Sequence, residues 1–526
     1  MKLGRLVSFV LVLMLCLGTI LPAVADDVAV NETGYPIVNE PITVKFVCST
    51  TAFTGEPEQL KMMNVLEEIT GIHIEWIKLE DAQVDVFLAS DEEFDLMYEF
   101  GNASRVQNYG VIGGMFADWN DYLYLMPNYS AWLEEIPLMR KVVTETNGAM
   151  YALPMYNKGA TSVTTRFMVR LDVLEACGLE MPSTVEDFYD CCKVALESGI
   201  TQGFAPLLPT SLGNFNTRIE PFFFACFGPS VDVDFTSVDK ETVTYSRVSD
   251  QYKEYLKYMN RLYSEGLLEQ EYLTIDKATS SARVKDGLCL FNDDMQNVEG
   301  SDFASGVIEI DQVWPLTSDF NDVRHTRAFN FASFGGGMMS AKTKYPEAIA
   351  RLVDCWYAKE EIVEGCGIIS ESFINGIYGE DFWYETEENG DYTLVVNIPD
   401  WSELTVQADY LAKYVKPKHS FGAKISLGIG GTENILARQR AYIRNNHPYQ
   451  EEYFPQKDMK FTVEEQEVIN NVFTDINSYV IEARGKFIAG IDDIDATWES
   501  YVNTVYEMGL EDVIEVYQAA YDRWNQ

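Results

Sequence analysis

The residue types that most often carry out chemistry in enzymes are present, but they do not form the usual catalytic patterns. The four histidines, His73, His325, His419 and His447, stand far apart, and the motifs G-x-S-x-G, G-x-x-x-x-G-K-[ST] and H-E-x-x-H do not occur. Their absence disfavours nucleotide hydrolysis and zincin-type hydrolysis. Glycoside hydrolysis stays open, because a pair of carboxylates needs no fixed sequence spacing and the chain has 82 acidic residues.

Asp232 and Asp234 begin an acidic segment that invites comparison with a calcium-binding loop. Ser237 stands where such a loop requires glycine, and Val243 stands where it requires a bidentate glutamate. The chain also lacks a C-x-x-C pair and any compact Cys/His set of the kind that binds zinc. We therefore predict no metal and no cofactor.

The abundance of aromatic residues is the feature of the sequence that points to a class of ligand. The chain has 30 Tyr, 29 Phe and nine Trp, and several adjoin loops. Sugar rings stack their C–H faces on aromatic rings, while Asp, Asn, Glu and Arg side chains hydrogen-bond the hydroxyls, so a cleft with both residue kinds suits a carbohydrate. The aromatic residues next to loops are Phe53, Phe100, Tyr151, Tyr156, Phe215, Trp314, Phe334 and Trp401.

The charge balance narrows the choice of partners. Against 39 Lys and Arg stand 82 Asp and Glu, a formal net charge of −43 over 526 residues. This field repels phosphate backbones and anionic membrane surfaces, so nucleic acid is disfavoured as a partner. With 47% hydrophobic residues, the chain can bury a large core and is predicted to form two to four compact units.

The first 25 residues read as a targeting signal. Lys2 and Arg5 precede an apolar stretch from Leu6 to Leu21, and Ala25 ends a small-x-small cleavage site. We predict export and a mature chain that begins near residue 26. Lipidation at Cys16 remains an alternative, although leucine precedes this cysteine where lipoprotein signals have a small residue.

Eight cysteines remain in the mature chain. They are scattered, and two of them, Cys191 and Cys192, are neighbours on one predicted helix, where their side chains point about 100° apart. We favour buried free thiols over a disulfide framework, because a chain of this size does not need cross-links.

The N-terminal elements that would position a site follow a βαβαβ order. Hydrophobic patterns predict three strands, at residues 42–47, 72–76 and 94–98, and the second of them alternates strictly between apolar and polar residues. A helix that begins at Pro57 and ends at Gly71 is predicted between the first two strands. Strand, crossover and strand imply parallel pairing in an α/β sheet. Ligands of such sheets sit at the carboxyl ends of the strands.

Local signals also place several later helices. Ser183 and Glu186 resemble a capping box, and Pro346 begins a helix predicted to end at Glu364. The chain from Val463 onward is predicted to be helical and broken by Gly485, Gly490 and Gly509, with the acidic run 492–495 capping a helix. The run 335–337 of three glycines is predicted to be a flexible connection or a close backbone approach. No linker cuts the chain, so its domains are predicted to be interleaved.

Several segments resemble the family 1 extracellular solute-binding proteins of bacterial ABC importers, in particular the LipO-like branch. The most specific similarity is in the tail, from Lys486 to Arg523. Other matching segments are Thr33-Gly34-Tyr35-Pro36, Gly148-Ala149-Met150-Tyr151-Ala152-Leu153-Pro154, Gly178-Leu179 with Pro182-Ser183-Thr184, Tyr252 to Leu268, and Pro346-Glu347-Ala348.

This resemblance implies an α/β fold of the type II periplasmic-binding-protein class: a two-lobed Venus flytrap with a helical C-terminal extension. The implied function is capture of an oligosaccharide by lobe closure and delivery to an ABC permease, by a non-enzymatic monomer. A secreted glycan hydrolase and a peptide receptor remain alternatives. The expected parts are a signal peptide (1–25), a leader (26–40), an N-terminal lobe (41–155 and about 318–365), a C-terminal lobe (156–317 and about 366–455), and helices across the lobes (456–526).

Loop position selects the candidate ligand contacts. Aromatic candidates would stack on sugar rings, and amides and carboxylates would hydrogen-bond the hydroxyls. The predicted contacts are Thr50, Thr51, Phe53, Asn102, Tyr156, Asn214, Asn292, Asp294, Trp314 and Phe334.

Overall fold

A computed structural model defines the fold for most of the chain. It describes residues 29–50, 61–90, 92–98, 100–159, 167–295, 298, 301–302, 307–327, 332–333, 337–370, 372, 376–386, 392–396, 423–426, 444–451 and 454–526. Within these ranges, no helix is both long enough and apolar enough to cross a membrane.

The first sheet has the predicted parallel βαβαβ arrangement. Strand β1 (Ile42–Ser49) pairs in parallel with β2 (Ile72–Leu79) on one side and with β3 (Leu96–Met97) on the other, and β13 (Met338–Met339) adds an antiparallel edge beside β3. The third strand is shorter than predicted, because the carboxylate of Asp95 accepts a hydrogen bond from the Lys45 N–H at 2.7 Å.

Both faces of this sheet are covered, as expected for a parallel sheet. Val44 and Phe46 pack into one buried cluster and Val47 into another on the opposite face. The regular segments that surround the sheet are the helices Lys61–Thr70, Asp81–Leu88, Ala103–Arg105, Pro127–Glu135, Pro137–Val143 and Pro346–Asp354, the π-helical turn Val106–Ile112, and the 3-10 turns Trp119–Leu125 and Cys355–Tyr357.

The helix that starts at Pro346 ends earlier than predicted. It stops at Asp354, and after one 3-10 turn the backbone is extended at Ala358. The Asp354 carboxylate accepts hydrogen bonds from the backbone N–H groups of Asn128 and Tyr129, at 3.3 and 2.9 Å. These bonds join the end of this helix to the start of helix Pro127–Glu135, a tertiary contact with no local sequence signal.

The second sheet is mixed and lies in a separate core. Strand β6 (Leu207–Leu208) pairs in parallel with β9 (Phe291–Asn292), β5 (Met168–Arg170) runs antiparallel to β9, and β10 (Ile310–Gln312) is antiparallel to β5. The surrounding helical segments are Leu171–Cys177, Val185–Glu197, Leu212–Asn214, Glu220–Phe224, Asp250–Ser264 and Lys277–Lys285, with the π-helical turn Phe215–Ile219 and the 3-10 turn Ser246–Val248.

Two large hydrophobic cores define the two lobes. The first-lobe core draws on residues between 37 and 153 and between 339 and 377, and the second-lobe core on residues between 167 and 316 and between 454 and 521. The first core includes Ile368 and Ile377, which lie beyond residue 365. Each lobe is therefore built from separate stretches of chain, as the interleaved organisation predicts.

Strands at the lobe crossing form a third sheet. Strand β4 (Met155–Gly159) follows the last residues of the first core and pairs antiparallel with β12 (Ala332–Ser333) and in parallel with β16 (Ala423–Ser426). Three separate chain segments thus meet where the chain passes from one core to the other. The remaining strands pair as β7 (Phe235–Thr236) with β8 (Thr244–Tyr245), β11 (Thr326–Arg327) with β17 (Gln450–Glu451), and β14 (Phe382–Thr386) with β15 (Tyr392–Val396).

The capping box at the helix Val185–Glu197 is one residue later than predicted. Thr184 and Asp187 form it: Thr184 Oγ1 accepts from the Asp187 N–H at 3.1 Å, and the Asp187 carboxylate accepts from the Thr184 N–H at 2.9 Å. Ser183 instead accepts a hydrogen bond from Arg324, and Glu186 accepts from Arg261 at 2.8 Å. Sequence alone does not choose between overlapping Ser/Thr-x-x-acid patterns, because partners outside the helix decide.

The C-terminal segment is helical, as predicted, but Gly485 does not interrupt it. Gly485 lies buried inside the helix Thr474–Ile488, where a Cβ would lie 3.6 Å from Leu273 Cδ1, an ordinary van der Waals distance. Gly490 and Gly509, with φ of +67° and +101°, do separate helices. The segments are the helices Val463–Val468, Thr474–Ile488, Ile494–Glu507 and Leu510–Asn525 and the π-helical turn Ile469–Phe473. Asp493 caps its helix as predicted, accepting from the Ala496 N–H at 2.8 Å.

The C-terminal segment contacts both lobes. Trp524 packs against both cores, and its carbonyl accepts a hydrogen bond from Lys141 Nζ of the first lobe at 2.7 Å. Lys460 forms an ion pair with Glu145 of the first lobe at 3.0 Å, with side chains only 10% and 4% exposed. The tail therefore connects the lobes through a buried ion pair and an aromatic contact.

None of the eight cysteines that the structure describes forms a disulfide, as predicted, and six of them are buried, while Cys177 and Cys366 are half-buried. Burial raises the pKa of Cys191, Cys226, Cys289 and Cys355 to about 12. These thiols are small apolar side chains of the two cores, without nucleophilic character at neutral pH.

Candidate functional site

Polar side chains gather where β6 and β9 of the second lobe end. We call this set the second-lobe cluster: Thr210, Asn214, Arg218, Asn292, Asp293 and Asp294. Because β6 and β9 are parallel neighbours, their carboxyl ends lie at one edge of the sheet, where ligands of α/β sheets bind.

Arg218 joins the two carboxylates of this cluster. Its Nη1 donates to the Asp293 carbonyl at 2.8 Å and lies 3.4 Å from an Asp293 carboxylate oxygen and 3.2 Å from Asp294 Oδ1. The Arg218 side chain is 26% exposed, whereas Asp293 is fully buried. Arg218 is thus held by two acids, while part of its side chain remains exposed.

The rest of the cluster is positioned by hydrogen bonds. Asn292 is fully buried, donates to the Leu208 carbonyl at 2.7 Å, and accepts from the Asp294 N–H at 2.8 Å. Burial raises the pKa of Asp293, opposed by the hydrogen bond from the Thr210 N–H and by the charge of Arg218. In this arrangement Asn292 orients Asp294, and Asn214 lies half-buried beside Arg218 along the chain.

A matching set lies at the carboxyl ends of the first sheet. We call this the first-lobe cluster: Thr50, Glu80, Asp81, Asp85, Asn102 and Arg105. Thr50 Oγ1 donates to Glu80 Oε1 at 2.6 Å, which links the ends of β1 and β2. Asn102 follows β3 and caps a short helical turn, accepting from the Arg105 N–H at 2.8 Å.

Arg105 organises the first-lobe cluster. Its side chain is 9% exposed, and Nη1 donates to Asp81 Oδ1 at 2.7 Å and to the Phe100 carbonyl at 3.3 Å. The hydrogen bond from Arg105 lowers the pKa of Asp81. Asp81 and Asp85 have side chains 79% and 62% exposed, so the acidic groups of this cluster face solvent.

The crossing sheet places Tyr156 at the passage between the lobes. It is paired in register with Ala332 on one side and Ala423 on the other. Nearby, Gly337 is a close backbone approach: a Cβ there would lie 2.9 Å from Leu96 Cδ1, and the Gly337 carbonyl accepts from the Trp119 indole at 3.1 Å. This confirms the close-approach prediction for that glycine, and the other two glycines lie outside the described residues.

The predicted contacts are distributed over these places. Thr50 and Asn102 are in the first-lobe cluster, Asn214, Asn292 and Asp294 are in the second-lobe cluster, and Tyr156 is on the crossing strand. Thr51, Phe53 and Phe334 lie outside the described residues. Trp314 packs on the second-lobe core, with its indole N–H bonded to the Pro182 carbonyl at 2.7 Å.

Sequence reasoning selected Asp294 but missed Arg218, Arg105 and the other acids paired with them, Asp293, Asp81 and Asp85. Arg218 follows Asn214 by four residues, one helical turn, so helical spacing from a chosen candidate was an available signal. Nothing local shows that Arg218 reaches Asp293, which lies 75 positions away.

The acidic segment compared with a calcium loop has other partners. Asp232 accepts from the Phe454 N–H at 2.8 Å, and Asp234 is paired with Arg247. In the part of the chain that the structure describes, no three His, Cys, Asp or Glu side chains are grouped so that they could hold a metal ion.

Comparison with known proteins gives a consistent set of relatives. The fructooligosaccharide ABC transporter substrate-binding protein FusA of Streptococcus pneumoniae serotype 4 is 23% identical over 527 residues, covering 95% of this chain and 94% of the relative. Lipoprotein LipO of Bacillus subtilis is 22% identical over 258 residues, 47% of this chain and 49% of the relative. This chain is a homologue of ABC-transporter substrate-binding proteins. No protein-family model matches it.

The fold of this homologue agrees with that relationship. An extracellular solute-binding protein from Bifidobacterium longum subsp. infantis superimposes with a TM-score of 0.73 at 18% identity, covering 93% of this chain and 99% of the other. The S. pneumoniae FusA complex with kestose gives a TM-score of 0.69 at 20% identity, covering 92% and 99%. The predicted two-lobed solute-binding-protein fold and the similarity to the LipO-like proteins are thereby confirmed.

Proposed function

We propose that the protein is an extracytoplasmic solute-binding protein that captures an oligosaccharide between its lobes and delivers it to an ABC import permease. The observation that carries this proposal is the pairing of two α/β cores, each with a polar cluster at strand carboxyl ends, in a chain homologous to FusA over 95% of its length. A binding function needs no catalytic constellation.

Lobe closure supplies the mechanism. A ligand that contacts both clusters binds the closed form better than the open form, and this difference in affinity shifts the equilibrium towards closure. The crossing sheet around β4 is where the chain has to bend, because it connects the two cores. The closed form then presents a surface to the permease that the open form lacks.

The proposed ligand contacts draw on both lobes. Thr50, Thr51, Phe53 and Asn102 would contact the ligand from the first lobe, and Asn214 and Asp294 from the second. Tyr156, Trp314 and Phe334 are the proposed stacking residues, and Asn292 is proposed to act through Asp294, because both ends of its amide are already hydrogen-bonded. Arg218 joins this list because its side chain is partly exposed and is bonded to the acids that follow β9.

We also propose how the chain is exported and how it is divided into lobes. We assign residues 1–25 to a signal peptide cleaved near Ala25, with anchoring through Cys16 as the alternative. One relative, LipO, is a lipoprotein, and for this reason we retain the lipid-anchored form of the protein as the alternative. The lobe boundaries given above, with the first lobe extended to residue 377, and the monomeric state are likewise proposed. Mass spectrometry of the exported chain would identify its first residue.

The test is a thermal-shift screen of residues 26–526 against oligosaccharides, with amino acids and peptides as comparators. At 100 times its dissociation constant, a ligand adds about 2.7 kcal/mol of stability, which corresponds to a melting shift of at least about 1 °C for a chain of this size. A shift with sugars alone supports the proposal. A shift with peptides alone would keep the fold and replace the ligand.

The enzyme alternative makes a different prediction. A glycan hydrolase would turn labelled oligosaccharides into shorter products, and substitution of one acid of its pair would abolish the products. A binding protein leaves the glycans intact at every incubation time, while their addition raises its melting temperature.

A further inference from the structure

The charges at the two clusters carry information about the ligand itself. The first-lobe cluster contains three acids, Glu80, Asp81 and Asp85, and one base, Arg105. The second-lobe cluster contains two acids, Asp293 and Asp294, and one base, Arg218. Each cluster therefore has more acidic groups than basic ones.

Neither arginine is available as an unpaired cation. Arg105 is 9% exposed and is bonded to Asp81, to the Phe100 carbonyl and, at 3.5 Å, to Asp85. The Nη1 group of Arg218 already donates hydrogen bonds to the Asp293 carbonyl and to the Asp294 carboxylate. A ligand carboxylate or sulfate bound to either arginine would lie beside these acids as a like charge.

An uncharged glycan meets no such obstacle. Carboxylates such as Glu80 and Asp294 can accept hydrogen bonds from sugar hydroxyls, and the guanidinium of Arg218, whose side chain is 26% exposed, can donate one. Acids held in place by arginines are well suited to hydroxyls, because the pairing fixes their orientation before the ligand arrives. The formal net charge of −43 also slows the approach of an anion and leaves a neutral molecule unaffected.

From these observations we propose that the ligand is an uncharged oligosaccharide and that the paired acids of the two clusters exclude glycans bearing uronate, sialate or sulfate groups. This inference rests on the proposed function and adds the chemical class of the ligand. It assigns the role of selecting against anions to Asp85 in the first lobe and Asp294 in the second.

The experiment compares neutral and acidic oligosaccharide pools of matched length by thermal shift and calorimetry, using the complete mature chain. We expect a ligand from the neutral pool, and a derivative of that ligand oxidised to a uronate should bind about 100-fold more weakly or worse. The dissociation constant of the neutral ligand should change less than about twofold between 50 and 500 mM salt, since no ion pair forms with it.

Two variants test the assigned residues. Asp294→Asn should strengthen binding of the oxidised derivative about tenfold, because it releases part of Arg218. Asp85→Asn tests the same idea at a side chain that is 62% exposed. Asp495→Asn is the matched control, an acid of the second lobe that is 68% exposed, paired with Lys253 and Lys257, and outside both clusters.

The possible outcomes distinguish a failure of the inferred ligand charge from a failure of the proposed oligosaccharide-binding function. A ligand found only in the acidic pool overturns the charge assignment and leaves oligosaccharide capture intact. No ligand in either pool overturns the proposed function and this inference together. Equal affinity for the neutral ligand and its oxidised derivative contradicts the exclusion of anions.

Discussion

Glu220 is the residue whose change should cost the second lobe most. It is completely buried, and its carboxylate is bonded to Arg247 at 2.8 Å, to the Tyr252 hydroxyl at 3.0 Å and to Arg484, which is also completely buried. Burial opposes the ionisation of Glu220, but Arg247 and Arg484 outweigh it and lower its pKa. This network connects helix Glu220–Phe224 to the C-terminal helix Thr474–Ile488.

Glu220→Gln keeps the shape of the side chain and removes its charge. Asp234 still pairs with Arg247 and Asn216 still accepts from Arg484 at 2.8 Å, yet two buried guanidinium groups lose their common counter-ion. Loss of one partner from a buried ion pair costs about 3–5 kcal/mol. For a lobe of this size the melting temperature should fall by roughly 6–20 °C.

The assay is calorimetry, with hydrogen exchange to assign the transition to a lobe. Faster exchange should appear in helices Asp250–Ser264 and Thr474–Ile488 and not in the first lobe. Glu186→Gln is the control, because its pair with Arg261 is 60% and 39% exposed and should contribute no more than about 1 kcal/mol. If both variants lose the same stability, the reasoning from burial is refuted.

The same network gives Glu220 a pH signature. Its pKa is lowered in the folded state, so its contribution is present above the ordinary pKa of a glutamate and is lost as the pH falls through the lowered value. The stability difference between the wild type and Glu220→Gln should therefore be constant near neutral pH and shrink in acid. A difference that grows on acidification would contradict the assigned pKa direction.

Three further predictions follow from buried groups. Glu145→Gln leaves the Lys460 ammonium buried at the lobe contact, so the variant should lose about 3 kcal/mol of unfolding free energy and show a larger radius of gyration by small-angle scattering. Glu482→Gln is the control, because it lies in an ion pair whose side chains are 67% and 43% exposed. Equal losses of stability in the two variants would argue against the buried contact. Burial raises the pKa of Asp354 to about 6, so the first lobe should gain stability as the pH falls from about 7 towards 4. In melting experiments across this pH range, Asp354→Asn should remove that gain. Parallel curves of melting temperature against pH for the wild type and the variant would exclude the assigned pKa shift. The six buried thiols should resist a disulfide reagent in the native protein and react after unfolding, and rapid native labelling of Cys226 would contradict its burial.

Local sequence patterns predicted the parts of the fold that depend on neighbouring residues. The parallel strands β1 and β2, the helix cap at Asp493 and the separation of helices at Gly490 and Gly509 are all visible in short windows, because hydrophobic alternation, capping side chains and positive φ are local properties. The resemblance to solute-binding proteins supplied the two lobes and the class of function.

The tertiary structure decided what depends on distant residues. Thr184 replaces Ser183 as the helix cap because Ser183 is taken by Arg324, 141 positions away. Arg218 joins Asp293 only when β6 and β9 pair.

The buried network of Glu220 shows the limit of sequence reasoning most clearly, since Arg484 lies 264 positions from Glu220 along the chain. The order of sequence patterns predicted the α/β class, and the resemblance predicted the two lobes and the oligosaccharide ligand, whereas the export signal stays a prediction. Which acids are paired, and hence which charges a ligand meets, follows from long-range packing, because a charged side chain can be buried only beside a partner that the fold brings to it.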